Sequence, residues 1–264
     1  MGIINVTPDS FSGDGIQGNP SRAAALAARF EAEGAAILDI GAESSRPGAA
    51  ELSPAEELRR LLPALESVRA TTALPISVDT YHPAVAEVAL AHGADAVNDI
   101  SGLRRDAAMA SLVARTGCAL IAMHNQRGQP FHDVAGDITA GFTATLAEAD
   151  RAGIDPSRVI LDPGFGFGWT PEQNLEMVRR LPEFWPFRLP LLLGPSRKST
   201  IGHLLDAPVE DRLDGTAALT ALGIAGGADI IRVHDVAAMS RVLRVSDAVV
   251  RANWRFEVPG AASG

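Results

Sequence analysis

The sequence predicts a single (β/α)8 TIM barrel spanning residues 1–264 as one domain. Three observations carry that expectation: eight short apolar runs, amphipathic segments between them, and a polar side chain at the end of nearly every run. With 264 residues, 47% of them hydrophobic, the chain can bury roughly three quarters of its unfolded surface in one core. Barrels of this class use about 250 residues as one domain, and no Ser/Gly/Pro linker long enough to separate a second domain interrupts the chain.

The apolar runs are GIIN (Gly2–Asn5), AAILDIG (Ala35–Gly41), PISVDT (Pro75–Thr80), DAVNDIS (Asp95–Ser101), ALIAMH (Ala119–His124), RVILDPG (Arg158–Gly164), LPLLLG (Leu189–Gly194) and ADIIRVHD (Ala228–Asp235). Near-continuous apolar runs, rather than strict alternation, mark strands covered on both faces and therefore parallel. Segments Ser21–Ala35 and Ser53–Ala70 have the apolar spacing of helices. The second opens with Ser53 as N-cap, Pro54 at the first helical position and Glu56 three residues on, the start of a capping box. Pro83–Ala94 and Asp211–Ala228 also have helical spacing and run into Gly at their ends. A doubly wound sheet would carry a Gly-rich dinucleotide fingerprint after its first strand, and NVTPDSFSGDG stands there instead. The small-residue tail PGAASG is expected to fray.

Twenty-three basic against 32 acidic residues give a net charge of −9, the opposite of the footprint that nucleic-acid binding requires. An anionic ligand would have to be met by a local cluster of donors, because the overall field repels it. The one cysteine, Cys118, leaves no intrachain disulfide, which fits a reducing compartment. No apolar run reaches the ~20 residues of a membrane span, and the first residues lack a basic start followed by a long apolar stretch. A soluble, cytoplasmic protein with no nucleic-acid or membrane partner is expected.

In a barrel of this class the functional groups emerge at the C-terminal ends of the strands. Those ends carry Asn5, Glu43 with Ser45 and Arg46, Asp79, Asn98 with Asp99, His124, Asp162, Lys198, and Arg232 with His234. Any one Asp or Asn here could serve as a helix N-cap or turn residue. Lys198 and Arg232 cap no helix N-terminus, and cations at one mouth of an acidic chain point to an anionic ligand. GPSRKSTIG (Gly194–Gly202) reads as an anion-binding turn but lacks the spacing of a nucleotide-binding P-loop. In DPGFGFG (Asp162–Gly168), Phe165 and Phe167 either pack under the rim or form a wall for a flat heterocycle. Arg232 and His234, two residues apart, share one side of a strand and could hold a phosphate. His82, His92, His132 and His203 have no metal-ligand spacing and read as structural or surface residues. Trp169, Trp185 and Trp254 read as packing residues, and Cys118 as a small core residue.

Seven segments occur in a fixed order: NVTPDSFS (Asn5–Ser12), ESSRPGA (Glu43–Ala49), SVDT (Ser77–Thr80), NDI (Asn98–Ile100), LDPGFGFG (Leu161–Gly168), SRKS (Ser196–Ser199) and RVHDV (Arg232–Val236). In these, over almost the whole chain, the sequence resembles the dihydropteroate synthase family of pterin-binding TIM barrels. The resemblance implies a transferase of folate biosynthesis that joins 6-hydroxymethyl-7,8-dihydropterin pyrophosphate to 4-aminobenzoate and releases pyrophosphate, with Mg2+ present. By matching positions it implies that Asp79, Asn98, Asp162 and Lys198 surround the pterin, with Ile100, Met123 and Phe167 as an apolar slot. Asn5, Arg46, Arg232 and His234 would hold the pyrophosphate, Asn5 also serving the metal. Phe11, Ser45, Arg46, Pro47 and Ser199 would meet 4-aminobenzoate, whose place sulfonamides would take as competitive ligands. Asp79, Lys198, Arg46 and Asn5 would carry the catalytic weight.

The reaction implied is dissociative: pyrophosphate leaves, the exocyclic methylene becomes an electron-poor pterin cation, and the aromatic amine attacks it. Cations then belong at the leaving group and carboxylates facing the pterin, Asp79 foremost. Segments Thr7–Gly15 and Glu43–Ala50 would be mobile lids. A homodimer is also implied. The chain departs from the family pattern at SFSGDG, where Asp14 is displaced by one position, and at Ser45, where Thr is commoner. It departs again at Pro195, which removes a backbone N–H beside SRKS. Met1 stands one residue before the first strand, as in a chain that is truncated or starts at an internal Met. The rival readings are a methyltetrahydrofolate methyltransferase-like domain, opposed by SRKS and SSRPG, and a catalytically silent pterin-binding barrel, supported by Asp14 alone.

Overall fold

The computed structural model describes residues 1–7, 19–43 and 51–252. Six strands, β1 (Gly2–Asn5), β2 (Leu38–Gly41), β3 (Ile76–Asp79), β4 (Ala96–Asp99), β5 (Ala119–Met123) and β6 (Val159–Asp162), pair in sequence order as one parallel sheet. Two shorter strands, β7 (Leu192–Leu193) and β8 (Ile230–Ile231), pair parallel with each other. Parallel bridges Leu161–Leu191 and Gly2–Val233 join the two sheets into a closed ring, as predicted. At the seam Ile3 N donates to Val233 O at 3.0 Å and Val233 N donates to Met1 O at 2.9 Å.

Each expected strand is present: β1 coincides with its apolar run, and the other seven are shorter than theirs at one end or both. Pro190 has no N–H to give the ladder, so β6 and β7 meet through one bridge and the Leu161 N–H to Pro190 O bond at 2.9 Å. Arg232 and His234 therefore lie beyond β8, on a continuation that still touches β1 at Val233.

The helices are α1 (Pro20–Ala32), α2 (Pro54–Arg69), α3 (Pro83–Ala91), α4 (Ala107–Thr116), α5 (Val134–Ala152), α6 (Pro171–Arg179), α7 (Ser199–Leu205), α8 (Leu213–Ala225) and α9 (Val236–Val250). The repeat of one helix per strand fails once: between β7 and β8 the chain forms α7 as well as α8. At α2, Ser53 Oγ accepts from Glu56 N at 3.3 Å as expected. The reciprocal half of the predicted capping box is replaced, because the Glu56 carboxylate binds Arg59 and Arg60 at 2.7 and 2.6 Å. A complete box forms at α6, where Thr170 N donates to Gln173 Oε1 at 2.8 Å and Gln173 N donates to Thr170 Oγ1 at 3.3 Å.

Alternation along the strands sets the layers. Ile40, Val78, Val97, Leu120 and Leu161 are fully buried in the main apolar cluster with the helices. A second cluster of Met1, Ile121 and Leu192, with Ile37, Ile160 and Ile230 against it, fills the barrel itself. Ile37, Ile121, Ile160 and Ile230 each precede by two residues a group at the mouth or just beneath it: Asp39, Met123, Asp162 and Arg232. The apolar plug is thus the floor on which the polar groups stand. Trp169 and Cys118 are buried as expected. Trp185 is not: it is 57% exposed, with its ring against Gly227 and its indole N–H donating to Gly226 O at 3.0 Å. Trp254 lies outside the described residues. No helix among the described residues is long and apolar enough to cross a membrane.

Candidate active site

The register brings the strand-end residues to one level. Asn5 pairs with Gly41, Gly41 with Asp79 and Asp79 with Asn98 across β1 to β4, while Met123 pairs with Asp162 across β5 and β6. Gly41 leaves room for its neighbour, since a Cβ there would stand 3.2 Å from Asp79 Cβ. From beyond β8, Arg232 reaches across the mouth, with Nη2 2.8 Å from Asp79 Oδ2 and Nε 2.6 Å from Asp39 Oδ2. The structure therefore brings Asn5, Asp79, Asn98, Met123, Asp162 and Arg232 to one end of the barrel.

Burial dominates the electrostatics here. It pushes Asp79 up to about 7, against the pull of the Arg232 guanidinium. It pushes Asp162 up to about 6, opposed by the Gly164 N–H that donates to Oδ1 at 2.7 Å. Lys198 is drawn down to about 8 by burial and the Arg232 charge. Burial alone would lower Arg232, but Asp39 and Asp79 outweigh it and hold the guanidinium above its ordinary value. The mouth thus holds two carboxyls and one ammonium that change charge near neutrality, the pattern expected where protein groups handle a ligand.

The two phenylalanines of the 162–168 loop divide the roles left open by the sequence. Phe165 is 2% exposed and belongs to the core. Phe167 sits at the mouth with Lys198 Nζ 4.4 Å from its centroid and the Arg127 guanidinium carbon at 4.6 Å. Gly168, at φ +87°, lets this loop close on the β5 turn: a Cβ there would stand 2.5 Å from Arg127 N. Asn174 of α6 ties the loop to α7, accepting from Gly166 N at 2.7 Å and donating to Thr200 Oγ1 at 3.1 Å. Ile100 follows β4 half-buried, and Met123 ends β5 almost fully buried. His234 is held by Ser196, whose Oγ lies 2.9 Å from Nδ1 and accepts from His234 N at 3.2 Å. Ser199 is the exposed first residue of α7. Phe11, Asp14, Ser45, Arg46 and Pro47, with most of both expected lids, lie outside the described residues.

A barrel whose polar groups meet at one mouth is shared by unrelated enzymes, so the comparison with known proteins decides among them. The profile of the family described as pterin binding enzymes matches residues 1–234. The chain belongs to the pterin binding enzyme family. It is 42% identical over 250 residues to the dihydropteroate synthase of Bacillus subtilis, covering 95% of this chain and 88% of that protein. The crystal structure of a Clostridium difficile dihydropteroate synthase in the presence of pteroic acid superposes with a TM-score of 0.90 at 44% identity, covering 95% of this chain and 96% of that one. A Yersinia pestis dihydropteroate synthase in complex with a sulfonamide drug gives a TM-score of 0.91 at 39% identity, covering 96% and 94%.

In this pterin binding enzyme two residues of the mouth escaped the sequence reading. Asp39 is fully buried beneath the rim and binds Ser77, Asn98 and Arg232. A lone carboxylate inside the apolar run AAILDIG was its signal, since such a group is rarely buried unpaired. Arg127 had no signal, because its contact with Phe167 depends on how two loops meet. His82 also has partners that its sequence context did not show. Its Nδ1 lies 2.7 Å from Glu57 Oε2, and potential ligand atoms of Glu43, Glu57 and His82 all lie within 4.8 Å of one another. Tyr81 donates to Glu43 beside them, and burial raises the Glu57 carboxyl. Three separate chain segments supply this group, so no local spacing could reveal it.

Proposed function

We infer that this chain is the catalyst of dihydropteroate synthesis, joining 6-hydroxymethyl-7,8-dihydropterin pyrophosphate to 4-aminobenzoate with loss of pyrophosphate. The observation that carries the reading is the meeting of Asp79, Asn98, Asp162, Lys198 and Arg232 around one mouth. It occurs in a chain about 40% identical over nearly its whole length to dihydropteroate synthases. A pterin edge offers N–H donors to the Asp79 and Asp162 carboxylates and ring acceptors to Lys198, and its faces fit a slot of Ile100, Met123 and Phe167. As the exocyclic carbon–oxygen bond breaks, Asp79 stabilises the pterin cation, while Arg232 and His234 hold the departing diphosphate.

Asn5 suits the expected Mg2+, because its carboxamide stands at the end of β1 with no hydrogen bond among the described residues. One protein oxygen beside phosphate oxygens is the donor set that such a hard cation takes. When bound, the ion supplies positive charge that neutralises the leaving group. Ser199 with Phe11, Ser45, Arg46 and Pro47 forms the 4-aminobenzoate site in this reading, and sulfonamides compete there. A homodimer is supported by the exposed Leu204, Leu205, Leu213, Leu222, Val245, Val249 and Val250, all on α7 to α9.

The test is pyrophosphate release by the purified chain with both substrates and Mg2+, with and without a sulfonamide. Release that depends on 4-aminobenzoate and falls with the drug is expected; no release above background overturns the reading. Lys198→Ala is expected to lose pterin binding, and Arg46→Ala to impair mainly turnover with 4-aminobenzoate. Equal, negligible effects of both would remove the site assignment.

A further inference from the structure

We propose that Asp39 is a positioning residue, whose carboxylate sets which edge of the Asn98 carboxamide faces the pterin and holds the Arg232 guanidinium across the mouth. Asp39 lies one row beneath the rim, paired with Ile3 and Ser77, where Asn5, Gly41 and Asp79 form the next row up. It has no exposed surface. An ionised carboxylate at such a place is tolerated only when its oxygens are occupied by donors. Three elements supply them: the Ser77 hydroxyl of β3 donates to Oδ1, and both Asn98 Nδ2 of β4, at 3.2 Å, and Arg232 Nε, at 2.6 Å, donate to Oδ2.

A carboxylate only accepts, and this has an orienting consequence. Asn98 must turn its Nδ2 down to Asp39, which leaves its Oδ1 as the atom offered to a ligand. The ligand therefore meets an acceptor at Asn98 and must present an N–H there, as the edge of a pterin does. The same logic fixes Arg232. With Nε on Asp39 and Nη2 on Asp79, the planar guanidinium is held at two corners and keeps Nη1 for an oxygen of the diphosphate. Asp39 acts on ligand chemistry through both neighbours and rests on the synthase reading given above.

The test uses Asp39→Ala, with 6-hydroxymethyl-7,8-dihydropterin, which lacks the diphosphate, as the probe in titration calorimetry. An Ala at position 39 removes the oxygen that Asn98 Nδ2 and Arg232 Nε share, so Asn98 loses its enforced orientation. Pterin affinity is expected to fall at least tenfold in the Asn98 background and less than twofold in the Asn98→Ala background. Undiminished affinity of Asp39→Ala overturns the proposal. So does a loss of equal size in both backgrounds, the mark of general distortion of the barrel. Should Asp39→Ala not fold, Ser77→Ala loosens Asp39 without touching the ligand, and at least threefold weaker pterin binding is then expected. Unchanged binding in Ser77→Ala overturns the proposal. A wild-type chain that binds no pterin refutes the synthase reading and the proposal with it, a result distinct from a wild type that binds and variants that match it.

Discussion

Asp162 sits 8% exposed with one backbone N–H as its only hydrogen-bond donor among the described residues, and its carboxyl is raised from 3.8 to about 6 by burial. The folded chain thus binds that proton more tightly than the unfolded one. The stability it confers is present below about pH 4 and is lost as pH climbs through about 6. Asp162→Asn keeps an acceptor for Gly164 N without the buried charge. It should stabilise the ligand-free chain by ~1–2 kcal/mol at pH 7.5, with little effect near pH 4.5. The same variant should weaken dihydropterin binding by about tenfold, because a charged hydrogen bond is lost. Thermal unfolding at the two pH values, paired with calorimetry, checks both signs. In the wild type, pterin affinity should rise as Asp162 and Asp79 ionise through about 6 and 7, then fall above about 8 as Lys198 loses its proton. A flat profile across that range would contradict the placement of these three groups around the pterin.

The helices that frame the mouth differ in how their starts are secured. At α2 the Ser53 cap was legible from S-P-A-E, but the reciprocal bond was not. Glu56 has two arginines within one turn, and they satisfy its carboxylate first. At α6 the box is complete, and the Thr170 carbonyl also accepts from Asn174 Nδ2 at 3.0 Å, the side chain that ties the 162–168 loop to α7. Ser53→Ala is expected to cost ~0.5–1 kcal/mol in urea unfolding, and Thr170→Ala ~1–2 kcal/mol because Asn174 shifts with it. The opposite order would mean that the α6 cap is not coupled to the loop. Apolar runs and caps made the eight strands and helices α1, α2, α3 and α8 readable. The end of the extra helix α7 was not, because its seven residues, capped by Asp206 with a left-handed φ of 50°, leave too short a pattern to separate it from α8.

Closure of the ring between β1 and the chain after β8 places residues 230 positions apart side by side. That closure is what allows Arg232 to reach Asp39 and Asp79. The outside of the barrel is less complete. Leu222 is 59% exposed and Val249 78%, on the adjoining helices α8 and α9. Such a face is expected to be covered by a second copy. Light scattering should give about twice the 27.6 kDa of one chain, and Leu222→Glu with Val249→Glu should return it to one. A wild-type mass of one chain would refute the dimer.

Local pattern along the chain was enough to specify the eight-strand parallel barrel, since apolar runs and caps involve near neighbours, and it named most of the polar rim, since strand ends can be read in order. Seven ordered motifs also pointed to the family. It took the folded molecule to establish that Asp39 underlies Asn98 and Arg232, that Arg127 and Lys198 flank Phe167, and that Glu43, Glu57 and His82 meet. These contacts depend on register, ring closure and the meeting of loops, and a linear pattern carries no record of which side chains, remote along the chain, will share one buried volume.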